Sequence, residues 1–442
     1  MTDRISQKSI FLFWAPLAAT WLMMAVEGPY LAAVIARLPD PKFNLAAHGV
    51  AFAFAVLVEA PVIMLMSAAT ALVEDAVSYR RLRAFMALLG VLTTAALLVV
   101  LVPALYRFVM ITLVGLPAEV ADLTHGALWI YLPWPAAIGY RRFLQGVLIR
   151  SGRTRLVAYG TVIRLIAMSS MALVGALALD LPGASVGALA LSTGVVVEAL
   201  AARWMVGPTL RELFAAPPRP PEEGPELHHR DIVSFYVPLA LTSLIGLTVH
   251  PLLTFFMGRS RAPIESLAVF PVVQSLSFIF RSLGLSFQDT AIALMGERHR
   301  HLPELKRFTL TLGLAASAGI SLVAFTPLAD VWFEGVSGLT PDLAVFAYVP
   351  ARVIFALPAL TVLLGLQRAI LVNVRRTRGI TVATTIEVVL IAATFVVAGW
   401  GFDLVGVTAA FTAFIVGRVA ANTFLAMKGA SVIRQAEAPG VT

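Results

Sequence analysis

Pro16-Leu17-Ala18, followed by Thr20, Pro29 and Arg37, recurs 222 residues later as Pro238-Leu239-Ala240, Thr242, Pro251 and Arg259. The separation is too long for local structure, and all six matches share one register. The chain is therefore a duplicated architecture. The repeat continues with a slightly larger offset: Arg153-Thr154-Arg155 corresponds to Arg376-Thr377-Arg378, and Thr161 and Ile163 to Thr384 and Ile386. Duplication inside an apolar chain is the pattern of a transporter whose halves move about a shared site.

Hydrophobic residues make up 59% of the 442 positions and charged residues 13%. A soluble domain carries nearly twice that charged fraction. The run Ala84–Tyr106 holds 23 residues without a charge, enough to cross a hydrocarbon core of about 30 Å. The pattern predicts an all-α integral membrane protein of twelve helices, near 10–36, 45–73, 84–106, 119–149, 156–179, 185–207, 232–258, 265–295, 308–329, 343–373, 379–401 and 404–427. Between the sixth and seventh lies Pro217-Pro218-Arg219-Pro220-Pro221-Glu222-Glu223-Gly224-Pro225-Glu226, a polar, proline-rich stretch that cannot continue a helix. It divides an N-lobe, 1–210, from a C-lobe, 231–442, with 211–230 as a cytoplasmic linker. Each copy has an even number of helices, so the lobes are expected to relate by an axis along the membrane normal.

The net charge of +8 invites a nucleic-acid reading, but the basic residues fall in short connections between apolar runs. Arg4, Lys8, Arg80, Arg81, Arg83, Arg150, Arg153, Arg155, Arg211, Arg219, Arg230, Arg298, Arg300, Lys306, Arg307, Arg375, Arg376, Arg378, Lys428 and Arg434 fall on one side. Only Arg37, Lys42, Arg107, Arg259 and Arg261 fall on the other. The positive-inside rule then makes both termini and the linker cytoplasmic, in a plasma membrane. Ile10–Met24 leads straight into more apolar helix, so no cleavable signal peptide is expected. The chain has no cysteine, which excludes disulfides and thiolate metal sites. It has no phosphate loop and no His-Glu-x-x-His. The reading is therefore of a non-enzyme without cofactor or metal, functional as a monomer, whose partners are the lipid bilayer and a small molecule.

Ionisable residues inside the expected spans carry the functional information. They are Glu27, Glu59, Arg141, Arg142, Arg164, Glu198, Arg203, Arg281, Asp289, Arg352, Arg368, Glu387 and Arg418. A charge at mid-bilayer costs about 3 kcal/mol on insertion scales, so such residues face a watery cavity or one another. Arg281, Arg352 and Arg418, with His250 before Pro251, form the candidate substrate-binding set. Guanidinium forks favour carboxylate or phosphate because they bind two oxygens at once. Glu27, before Gly28-Pro29 where proline bends the helix, and Glu59 are the coupling-ion or gating candidates for a proton or sodium ion, with Asp289 and Glu387 beside them. The structural alternatives are ion pairs of the first two carboxylates with Arg141, Arg142 or Arg164, an Arg281–Asp289 pair, and an Arg418–Glu387 pair. Arg203 and Arg368 can instead snorkel from helix ends. Gln145, Gln274, Gln288, Gln367 and Asn422 either line the cavity or join helices.

The chain resembles the multidrug/oligosaccharidyl-lipid/polysaccharide (MOP) exporter superfamily, with the MATE-like arrangement of two six-helix lobes. Within it, the chain is most similar to the progressive ankylosis (ANKH) proteins. Phe235-Tyr236-Val237-Pro238-Leu239-Ala240-Leu241 resembles that family's start of the seventh helix, with Pro251 and Arg259 downstream. Pro350, Arg352 and Pro358, followed by Arg375-Arg376-Thr377, resemble its tenth-helix segment, and Glu27 falls where the family has an acidic residue. The segment around Arg141-Arg142 departs from the pattern. The resemblance implies export of an organic or phosphate-containing anion, of the citrate, pyrophosphate or nucleotide class, by alternating access. The rival readings are a proton- or sodium-coupled exporter of cationic drugs, a flippase for lipid-linked precursors, and a non-transporting membrane scaffold.

Overall fold

A computed structural model describes residues 5–216, 227–296, 299–373 and 378–437. Most of the proline-rich linker, Arg4, Arg298 and Arg375-Arg376-Thr377 lie outside those residues, as do the side chains of Thr20, Thr154, Pro238, Leu239, Thr242 and Arg434.

Among the described residues twelve principal helical runs follow one another. They are α1 (Gln7–Ile35), α2 (Pro41–Glu59, then Leu65–Leu72), α3 (Ala76–Leu101), α4 (Ala118–Ile130, then Trp134–Arg150), α5 (Thr154–Ala178), α6 (Gly183–Met205), α7 (His229–Leu247, then Val249–Met257), α8 (Pro263–Leu294), α9 (Leu302–Phe325), α10 (Pro341–Asn373), α11 (Arg378–Gly401) and α12 (Gly406–Glu437). Among the described residues, ten helices are long and apolar enough to cross a membrane.

Several boundaries differ from the sequence expectation, each for a local reason. The second helix is not continuous over 45–73: Pro61 lacks an N–H, and the backbone breaks between Glu59 and Leu65. The fourth is likewise interrupted before Trp134, at Pro133. α3 starts at Ala76 rather than 84, because Asp75 caps it by accepting from Ser78 N at 2.7 Å. Arg80, Arg81 and Arg83 therefore sit on its first turns, not in a loop. The linker is shorter than 211–230, since Gly207–Ala215 forms a short helix after α6 and α7 begins at His229.

The duplication is visible in backbone detail. Asp40 and Ala262, 222 apart, are both left-handed (φ 51° and 52°) just before Pro41 and Pro263 open α2 and α8. Phe108–Leu113 and Val331–Val336, 223 apart, are both wide π-helical turns that end the runs of α3 and α9. Each is followed by a glycine with positive φ, Gly115 (82°) and Gly338 (73°). The extra residue of the second copy thus falls in the α8–α9 connection, where it rotates no helix face.

By packing, the chain divides into two compact units: Arg37–Phe255, and Met1–Ala36 with Phe256–Thr442. The first-repeat unit holds α2 to α6 and nearly all of α7. The second-repeat unit holds α8 to α12 and α1. This grouping differs from the division of the sequence into 1–210 and 231–442 in where the first helix of each repeat is housed.

The two placements use matching contacts. In the second-repeat unit, Trp14 on α1 donates from Nε1 to the Leu283 carbonyl (3.3 Å) and to Ser286 Oγ (2.9 Å), and packs edge-on against Phe308 at 5.7 Å between ring centres. In the first-repeat unit, Tyr236 on α7 donates its hydroxyl to the Pro61 carbonyl and packs edge-on against Phe85 at 5.1 Å. Residues 14 and 236, 61 and 283, and 85 and 308 are register partners. Each first helix is thus anchored by one aromatic donor in the unit built mainly from the other repeat.

Candidate functional site

Each unit encloses a cluster of ionisable side chains. In the first-repeat unit the centre is Glu198 on α6, which is fully buried. It accepts from Arg141 Nη1 at 2.6 Å and Gln145 Nε2 at 3.0 Å, which lie one turn apart on α4. Arg164 of α5 approaches the same carboxylate at 3.5 Å. Glu59, at the break in α2, accepts from Trp134 Nε1 at 2.5 Å, and Trp134 opens the second segment of α4. Arg142 points its Nη1 towards Met66 Sδ at 3.8 Å, and its Nε is buried without an acceptor. Arg141 and Arg164 therefore share the Glu198 carboxylate, and the Glu59 carboxylate is taken by Trp134.

In the second-repeat unit the ion pair has the opposite polarity. Arg418 on α12 reaches Glu387 on α11 with Nε and Nη2, each at 2.7 Å, and its Nη1 lies 3.4 Å from Thr361 Oγ1. Asn422, one turn further on, donates to the carbonyls of Arg418 (2.9 Å) and Leu360 (3.1 Å), and Gln367 donates to the Asn422 carbonyl (3.1 Å). Arg368 on α10 donates to Thr384 Oγ1 at 3.3 Å, while its Nε is buried without an acceptor.

Arg281 on α8 is close enough to Arg418 and Glu387 to feel both charges. Among the described residues it makes no hydrogen bond or ion pair, and its Nε is buried. Gln274 and Ser277 precede it by seven and four residues, on the same face of α8. Gln274 Oε1 and Ser277 Oγ are also buried without partners. Buried polar atoms are nearly always satisfied, so three unpartnered groups along one helix face make that face a candidate ligand surface. Three guanidinium groups here stand against one carboxylate.

The structure brings together Arg281, Arg418 and Glu387 of the sequence-derived candidates, and confirms the Arg418–Glu387 ion pair named as the structural alternative. No Arg281–Asp289 ion pair forms, and Asp289 is exposed. Arg352 lies outside the cluster: it is exposed, and its Nε is 3.4 Å from the Ala324 carbonyl. It shares a face of α10 with exposed Val345 and Val349, seven and three residues before it. Glu27 opens the second segment of α1 in the second-repeat unit and is partly buried. His250 lies in the first-repeat unit, at the start of the Val249–Met257 segment.

Sequence reasoning set Arg368 aside as a snorkelling residue and did not group Glu198 with Arg141 and Arg164. The repeat register carried the signal. Glu59 corresponds to Arg281 at an offset of 222, and Gln145 to Arg368 and Arg164 to Glu387 at 223. A Cβ added to Gly194 would meet the Arg164 carbonyl at 3.2 Å, and one added to Gly417 would meet the Glu387 carbonyl at 2.8 Å. That shared close approach fixes the α5–α6 and α11–α12 pairs as equivalent. Arg418 stands one turn from the position matching Glu198. The two clusters occupy equivalent places with carboxylate and guanidinium exchanged.

No protein-family model matches the chain, and no curated protein does. Solved structures do. An inward-facing multidrug resistance MATE family transporter of the MOP superfamily aligns with a TM-score of 0.73 at 14% identity, over 96% of this chain and 96% of the other. The lipid II flippase MurJ in an inward closed conformation aligns with a TM-score of 0.69 at 11% identity, over 96% and 90%. A MOP superfamily transporter from Pyrococcus furiosus, described by the reverse polarity of its binding pocket, aligns with a TM-score of 0.67 at 13% identity, over 98% and 97%. The chain has the MATE-type fold along nearly its whole length.

Proposed function

We propose that the chain is a membrane transporter working by alternating access, and that it carries a small anion bearing carboxylate or phosphate groups. The observation that carries this reading is Arg281. It is a guanidinium with a buried, unpartnered Nε on a face of α8 that also presents unpartnered Gln274 and Ser277. A cation held in a membrane span without a protein partner costs several kcal/mol. An anionic ligand that accepts its hydrogen bonds offsets that cost.

The substrate contacts are Arg281, with Gln274 and Ser277 as neutral partners. Arg418 and Arg368 supply field from behind, because Arg418 is committed to Glu387 and Arg368 to Thr384. A charge-assisted contact of this kind is worth about 1.5–3 kcal/mol, and a fork that grips two oxygens selects carboxylate and phosphate over halide. The resemblance to the ankylosis proteins supports the same substrate class, citrate, pyrophosphate or nucleotide, and the outward direction. Both termini are then cytoplasmic.

The cationic-drug reading needs a carboxylate free to exchange a proton or sodium ion for the drug. In the first-repeat unit Glu59 is engaged by Trp134 and Glu198 by Arg141 and Gln145, which weighs against it. Glu59 remains the coupling candidate, through release of its Trp134 bond.

Binding to the purified full-length protein tests this directly. Citrate, pyrophosphate and ATP are titrated against the wild type and Arg281→Gln, with a quaternary ammonium dye as the cationic probe. At least one anion is expected to bind, about tenfold or more weaker to the variant, with the dye unbound. Binding of the dye alone, or anion binding unchanged in Arg281→Gln, overturns the reading.

A further inference from the structure

The second-repeat unit carries a groove of about 500 Å³ lined by α9, α10 and α12, among them Lys306, Thr309, Leu363, Gln367, Leu425 and Gly429. This size lies within the roughly 300–1,000 Å³ of ligand pockets. The groove is apolar along its length and polar at one end. It runs along α9 from Lys306 to Leu314, eight residues or about 12 Å of helix.

The repeat register explains why it is open. In the first-repeat unit the equivalent crevice is filled by the protein itself. Tyr79 packs against Phe143 at 5.3 Å and Phe214 at 5.5 Å between ring centres, and Arg80 lies over the Phe214 ring at 5.4 Å. Phe214 comes from the short helix Gly207–Ala215, formed where the chain turns after α6. The register partners of Tyr79, Tyr140 and Phe143 are Leu302, Leu363 and Leu366, all smaller. α12 does not turn at the matching place but runs straight on to Glu437. Among the described residues nothing in the second-repeat unit takes the place of Phe214, and a Cβ added to Gly429 would meet no atom within 4 Å.

The mouth has a charge of fixed sign. Lys306, the register partner of Arg83, is exposed and has no ion pair or hydrogen bond among the described residues. Arg307 is exposed beside it. Within the groove, Gln367 Oε1 is buried without a partner. This is the basic end of α9, the side that the positive-inside rule gives to the cytoplasm, where the leaflet carries anionic lipid. A water-soluble ligand would leave the leucine walls unsatisfied, and a zwitterionic lipid would bring a second cation to the lysine along with its phosphate.

We propose that this groove binds an anionic phospholipid, with one acyl chain along the leucine-lined walls and the headgroup phosphate on the Lys306 ammonium. The site shares Gln367 with the surroundings of the Arg418–Glu387 pair but does not include Arg281, and it does not depend on the transport reading.

The test is native mass spectrometry of the full-length protein, released from micelles holding equal amounts of phosphatidylglycerol and phosphatidylcholine with identical chains. The wild type is expected to retain phosphatidylglycerol preferentially. Lys306→Gln should lower that preference about fivefold, the worth of one lysine against an anionic surface, and leave some lipid bound. Gly429→Phe places a ring in the open space and should reduce retention of both lipids, with a melting temperature at or above that of the wild type. Equal retention of the two lipids, or a preference unchanged in Lys306→Gln, overturns the proposal. So does displacement of the lipid by millimolar citrate or pyrophosphate, which would make the groove part of the transport path.

Discussion

Arg281 and Arg418 belong to one cluster but differ in what they touch, and substitution should separate them. Arg418 is held in a buried pair with Glu387. Removing one member of such a pair leaves the other uncompensated, at a cost of about 3–5 kcal/mol. Glu387→Gln should therefore lower the melting temperature in detergent by several degrees, and Glu387→Gln with Arg418→Gln should recover most of the loss. Arg281 has no hydrogen-bond or ion-pair partner among the described residues to strand, so Arg281→Gln should leave the melting temperature equal or raised while weakening the anion. A clear loss of stability in Arg281→Gln, with no recovery in the Glu387/Arg418 double variant, would mean that the two roles are assigned the wrong way round. At this scale the sequence was only half legible. It showed which charges lie in spans, because an arginine among leucines is conspicuous. It did not show which of them meet, because that depends on the face each helix presents. Arg352 illustrates the gap: it lies on an exposed face of α10 with Val345 and Val349, away from the Arg418–Glu387 pair. Arg368 shows the converse, a residue near a helix end that turns inward to Thr384.

At the scale of elements, the exchanged first helices follow from two aromatic donors. Pro61 interrupts α2, and its carbonyl, freed from helical bonding, is the acceptor for Tyr236. Trp14 finds the matching carbonyl of Leu283. Trp14→Phe and Tyr236→Phe each remove a hydrogen bond but keep an aromatic ring, and each should destabilise by about 1 kcal/mol. The two sites lie in separate compact units, so their effects should add in the double variant within about 0.5 kcal/mol. Differential scanning calorimetry of the four proteins checks this, and strong non-additivity would show that the anchors are coupled. The twelve runs and the duplication were legible in the amino-acid pattern, because apolar length and a shared register survive in the linear string. The breaks at Pro61 and Pro133, and the early start of α3 at its Asp75 cap, are local rules that were present but outweighed by the apolar pattern. The housing of α1 with the second repeat was not legible, because the Trp14 acceptor lies 269 residues away.

At the scale of the whole molecule, two copies of one helical architecture have kept their backbone features and exchanged their buried charges. Glu59 corresponds to Arg281 in the register, and Arg164 to Glu387. The first-repeat cluster has three guanidinium groups to two carboxylates, both bound, and the second has three to one, with Arg281 unpaired among the described residues. The account rests on that excess serving a transported anion. The most direct measurement is flux of radiolabelled citrate, pyrophosphate and ATP in proteoliposomes, for the wild type and Arg281→Gln, with membrane potential and pH gradient imposed separately. Saturable movement of at least one of these anions is expected for the wild type, reduced at least tenfold in Arg281→Gln at matched incorporation. Absence of anion flux under every gradient, together with proton-driven movement of a cationic dye, would contradict it.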